Sequence, residues 1–116
     1  MKITVKDEGA AKIVSLDGRL DLATGGELKE EIKKHCEGGT RRIHLNLQKV
    51  DFINSSGLGA MVSVMKQVRS KKGKLTLSNL APHVREIFDI TQLSHVFEIY
   101  DTQNEAMASP DKVAAD

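Results

Sequence analysis

The sequence predicts an α/β fold: a mixed, mostly parallel sheet of four to five strands with helices packed on one side. Two short apolar runs near the start, Ile3-Thr4-Val5 and Ile13-Val14-Ser15-Leu16, flank the polar Asp7-Glu8-Gly9-Ala10 and read as an opening hairpin. After them helical and strand patterns alternate, the arrangement that builds parallel pairs. The strands themselves alternate: Ile43, Leu45 and Leu47 against His44 and Asn46, then Leu75 and Leu77 against Thr76 and Ser78. A doubly covered sheet would show near-continuous apolar strands. One face is therefore expected to carry the helices and the other to meet water.

Each element has its own signal. Thr24-Gly25-Gly26-Glu27 matches a capping box, with Thr24 capping and Glu27 reaching back. Leu28, Ile32 and Cys36 make the buried stripe of the helix that follows, and Gly38-Gly39 ends it. Ile43 to Leu47 is a strand, with Val50 at its exit. Leu58, Met61, Val62, Met65 and Val68 fall at helical spacing over a segment reaching about Lys72. Leu75 to Ser78 is the next strand. Pro82 suits the first position of a short helix whose inner face is Val84, Ile87 and Phe88. Val96 to Ile99 reads as the last strand, and Thr102 as the cap of a final helix. Residues 1–108 are expected to form a single domain, with 109–116 a loose C-terminal tail.

The most informative passage is Asn54-Ser55-Ser56-Gly57-Leu58-Gly59, where a strand gives way to a helix. Its two serines are expected at the N-cap, where a side-chain oxygen satisfies an orphan backbone N–H. Two glycines in the opening turns of a helix cost about 2 kcal/mol relative to alanine. Close approach of another molecule to bare backbone would explain that cost. Asp21, between a strand and a capped helix, reads equally as a turn residue near a helix N-terminus or as a functional carboxylate, and Asp51 reads on spacing alone as a turn carboxylate.

Composition narrows the function classes. With 40% hydrophobic residues, 28% charged and a net charge of +1 over 116 residues, the chain has no electrostatic footprint for nucleic acid. The basic group Arg69, Lys71, Lys72 and Lys74 suits a helix C-terminus. The single cysteine, Cys36, permits no internal disulfide and suits a reducing compartment. No apolar run approaches the roughly 20 residues of a membrane span, and no signal-peptide core opens the chain. A cytoplasmic protein without membrane insertion is expected.

Catalytic motifs are missing. Gly57-x-Gly59-x-x-Val62 lacks the third glycine of a dinucleotide fingerprint, and no acidic residue follows at ribose distance. There is no P-loop and no nucleophile elbow. His35, His44, His83 and His95 have no metal-ligand spacing. Asn54-Ser55-Ser56 matches a glycosylation sequon only formally. No enzyme, cofactor or metal is expected.

Gly18-Arg19-Leu20-Asp21 with Thr24, then Asp51-Phe52-Ile53-Asn54-Ser55-Ser56-Gly57-Leu58-Gly59, then Pro82-x-Val84-x-x-Ile87-Phe88, resemble STAS domains. More narrowly, they resemble the stand-alone bacterial anti-sigma factor antagonists, over about residues 2 to 108. The resemblance implies the STAS-like sheet with helices on one side. It also implies that the first serine of the pair is phosphorylated by a partner anti-sigma factor that is itself a serine kinase, with a phosphoserine phosphatase reversing it. The acceptor is then Ser55. Asp21, Thr24, Asn54, Ser56, Gly57, Leu58 and Gly59 form the partner-facing surface. Many family members have Asp before the acceptor; here Asn54 keeps the hydrogen-bonding capacity and removes a charge. The alternative is a STAS module never phosphorylated in its working cycle, serving as a cytoplasmic subunit of a lipid transporter or part of a signalling scaffold.

Overall fold

A computed structural model describes residues 1–110. The elements run β1 (Lys2–Glu8), β2 (Ala11–Leu20), α1 (Leu22–Glu37), β3 (Arg42–Ile53), α2 (Ser55–Ser70), β4 (Lys74–Ser78), α3 (Pro82–Ile90), a short 3₁₀ turn (Leu93–His95), β5 (Glu98–Tyr100) and α4 (Gln103–Ala108). They form one sheet in the order β1-β2-β3-β4-β5. The opening hairpin is antiparallel and every later pairing is parallel. The mixed, mostly parallel α/β architecture read from the sequence is the one observed.

The order explains the layering. Each parallel crossover steps one strand in the same direction, and such crossovers are right-handed, so α1, α2 and α3 fall on one face. Their inner residues Leu28, Ile32, Met61, Val64, Val84 and Phe88 share a core with Val14, Ile43, Leu45, Leu47 and Leu77 of the sheet. Phe88 meets Phe97 edge to face, with ring centres 5.5 Å apart, closing the core at the 3₁₀ turn.

α4 is not a crossover and is free to lie elsewhere. It sits against the strand residues of opposite parity: Arg42 Nη2 donates to the carbonyls of Ala106 at 2.8 Å and Ser109 at 3.1 Å, and Asn46 donates to Gln103. The second face is therefore only partly wet, which corrects the expectation for its polar residues. His44, Thr76 and Ser78 are fully buried, with His44 Nδ1 at 2.7 Å from Thr76 Oγ1 and Nε2 at 2.7 Å from Ser78 Oγ. The two hydroxyls satisfy both ring nitrogens, so this buried polar group is fully hydrogen-bonded.

Other differences lie at element ends. β3 continues past Leu47 to Ile53 and so includes Asp51, which sits exposed in the strand and not in a turn. Register shifts in its pairing with β2, between Ser15 and Asp17 and again between Gly18 and Arg19, let the chain pass polar Gln48-Lys49 and still return Val50 and Ile53 to the core. The last strand begins at Glu98; Val96 and Phe97 precede it. Ser109 is held by Arg42 and Lys74, and Pro110 O accepts from Lys74 Nζ. The remainder of the expected tail, 111–116, lies outside the described residues.

Candidate functional site

Parallel pairing brings two helix starts side by side. Leu20 and Ile53 are register partners at the ends of β2 and β3, and the next residues, Asp21 and Asn54, are the N-caps of α1 and α2. Asn54 Oδ1 accepts from Gly57 N at 2.9 Å, while Asn54 N donates to Leu20 O at 3.2 Å. The cap is therefore Asn54. Ser55 and Ser56 occupy the first two helical positions instead, exposed and outside the capping bond. Asn and Asp cap about equally well, so the amide costs the helix nothing.

The first helix also starts earlier than its pattern suggests. Asp21 Oδ1 accepts from Thr24 N at 3.1 Å, and Asp21 N donates to Thr24 Oγ1 at 2.9 Å, a reciprocal capping box. Thr24 is thus the third helical residue, and its hydroxyl donates to Arg19 O at 2.6 Å. Glu27 takes no part in the cap. The Thr24 amide and hydroxyl hold the Asp21 carboxyl below the ordinary carboxylate range, so Asp21 is ionised at neutral pH.

Glycines set the distance between the two starts. A Cβ on Gly25 would lie 2.7 Å from Ala60 Cβ and 3.8 Å from Ser56 O, so the opening turns of α1 and α2 touch there. A Cβ on Gly57 would lie 2.3 Å from Leu20 O. Gly57 is buried, and its bareness serves contact within the chain, not an outside molecule; that corrects the reading of this glycine. Gly59 is exposed with nothing near its would-be Cβ, and Leu58 is half-buried against the core.

The site thus gathers Asp21, Thr24, Asn54, Ser55, Ser56, Leu58 and Gly59 at one end of the sheet. It also contains two residues that sequence reasoning missed. Leu22, first in α1 and level with Ser55 in α2, is 78% exposed. The available signal was an apolar residue directly after a cap, with no buried partner in reach. Arg19 stacks its guanidinium 3.9 Å over the Phe52 ring on the paired strand. Among the described residues, no group of His, Cys, Asp or Glu is placed to hold a metal ion.

Residues 2–106 match the STAS domain family. The chain belongs to that family. It is 34% identical over 109 residues to BtrV of Bordetella bronchiseptica, designated an anti-sigma factor antagonist, covering 94% of each chain. A Thermotoga maritima protein of the same designation superposes with a TM-score of 0.85 at 26% identity, covering 90% of this chain and 91% of that one. The Bacillus cell fate determinant SpoIIAA shares the fold in its unphosphorylated form, with a TM-score of 0.71, 21% identity and coverage of 91% and 94%. It does so equally in its phosphorylated form, with a TM-score of 0.70, 22% identity and coverage of 91% and 96%. No helix among the described residues of this STAS domain is long and apolar enough to cross a membrane.

Proposed function

We propose that this STAS domain is a phosphorylation-controlled anti-sigma factor antagonist. Unmodified at Ser55, it binds an anti-sigma factor that is a serine kinase, and so frees the sigma factor. Phosphate on Ser55 ends the binding, and a phosphoserine phosphatase restores it. The domain acts as a binding module and carries out no chemistry of its own.

The observation that carries this reading is the position of Ser55, exposed at the first position of α2 with the cap supplied by its neighbour. The hydroxyl is accessible, and it can change without cost to the helix. A phosphate there adds about −1.5 to −2 charge. The N–H groups of the first turn and the helix dipole favour that charge, so the fold should tolerate it. The switch then operates at the surface. Small groups at Ser55, Ser56 and Gly59 permit close docking beside Leu22, Asp21, Thr24 and Leu58, and a hydrated dianion in their midst prevents it by bulk and desolvation. Asn54 lowers the negative charge around the phosphate, leaving the ionised Asp21 on the adjoining cap.

Intact-mass spectrometry of the protein purified from its own host, followed by peptide mapping, tests the assignment. A single added phosphate on Ser55, absent from the Ser55→Ala protein, is expected. Phosphate mapped to Ser56 or elsewhere would refute it.

A further inference from the structure

β1 forms one margin of the sheet; its inner edge pairs with β2, and no described strand lies beyond it. Alternate backbone N–H and C=O groups therefore point outward, and neither proline nor bulge blunts the edge. Beside it an open groove of about 500 Å³ runs between β1 and α1, lined by Met1, Ile3, Glu27, Glu30, Glu31 and Lys34. Met1 and Ile3 give it an apolar floor. Its wall is acidic. Glu31 is answered by Lys34 at 3.4 Å and His35 at 2.7 Å, whereas Glu27 reaches only the amino group of Met1 at 4.0 Å. Glu30 is exposed and has no ion pair among the described residues.

We infer that the β1 edge and this groove bind an extended, basic segment of a partner protein as a sixth strand. Main-chain hydrogen bonds to the open edge supply the attachment, and alternation of side chains supplies the selectivity. On the α1 side, Arg or Lys fits: its apolar stem covers Met1 and Ile3 while its charged end reaches the glutamates. On the other side the added residues stand beside Lys2, Thr4 and Lys6, all exposed, and are best uncharged or acidic. A second copy of this chain fits worse, because pairing β1 with β1 sets one row of α1 glutamates toward another. The inference is independent of any role of Ser55.

The test is an NMR titration of the ¹⁵N-labelled full chain with an acetylated, amidated hexapeptide of alternating arginine and threonine. A glutamate–threonine analogue and an analogue N-methylated at alternate residues serve as controls. Shifts should concentrate in residues 2–8 and 27–34, with slowed exchange of outward β1 amides. Both controls, and the Glu27→Lys/Glu30→Lys protein, should bind about tenfold more weakly. Shifts centred elsewhere, equal binding of either control, or no shift at millimolar peptide would overturn the inference. So would the same β1 protection rising with protein concentration alone, which would make the edge a self-association surface.

Discussion

Gly57 and Gly59 lie about half a turn apart on α2, so one faces the core and the other solvent. A methyl on Gly57 would press into the Leu20 carbonyl, which is backbone and cannot swing away. Gly57→Ala is expected to cost about 1–3 kcal/mol or more, as overpacking of a tight site does. Gly59→Ala meets open space and removes a helix-weakening residue, so stability should hold or rise by up to about 1 kcal/mol. If a partner approaches the bare backbone there, Gly59→Ala should nonetheless bind more weakly. Paired chemical melts and binding titrations of the two variants separate the roles; similar losses of stability in both would remove the distinction. Leu22 supplies a complementary case. Its side chain is exposed, so Leu22→Ser should leave the melting curve within about 0.5 kcal/mol and weaken binding of the anti-sigma factor. Unchanged binding would exclude Leu22 from the docking surface.

The site exists at the level of elements because two strands end in register and two helices begin together. Gly25 sets how closely they can start, so Gly25→Ala should push the opening turns of α1 and α2 apart. A loss of about 1–3 kcal/mol is expected, accompanied by weaker partner binding that a distant destabilising core variant of equal cost would not show. Much of this architecture was legible in the sequence: the hairpin, the alternation of strand and helix, the Pro82 start of α3 and the Thr102 cap of α4. The helix starts were not, for a physical reason. Asp21 and Thr24 can each cap, and Thr24 with Glu27 forms a plausible box of its own. Asn54, Ser55 and Ser56 are three cap-competent residues in a row. The choice among them is made by where Leu20 and Ile53 pair across the sheet, which local sequence does not encode. The same holds for Gly57, which is crowded by Leu20 of another strand, whereas Gly59 faces open space. Leu22 was illegible because exposure at a first helical turn depends on what lies beyond the helix.

Across the whole molecule, the buried His44 ties β3 to β4 and makes stability depend on pH. Burial is the main cause that lowers its pKa to about 4, with the nearby Arg42 charge adding to it, against 6.5 for the free side chain. The native state thus keeps the ring neutral where the unfolded chain takes up a proton, so acidification favours unfolding. The contribution is complete above about pH 6.5 and is lost as pH falls toward 4, amounting to about 3 kcal/mol over that window. Urea melts at intervals from pH 7 to 4.5 should show the decline, and His44→Gln should flatten it; an unchanged slope in the variant would assign the effect elsewhere. Such acid sensitivity concerns the fold, whereas the proposed switch concerns only the surface. The direct test of that claim is a calorimetric titration of the cognate anti-sigma factor against the protein carrying genetically encoded phosphoserine at position 55, with its melting curve measured alongside. The phosphorylated protein should melt within about 1 kcal/mol of the unmodified one and lose about two orders of magnitude or more in affinity, as a buried uncompensated charge demands. Undiminished binding, or loss of binding through unfolding, would contradict a surface switch at Ser55.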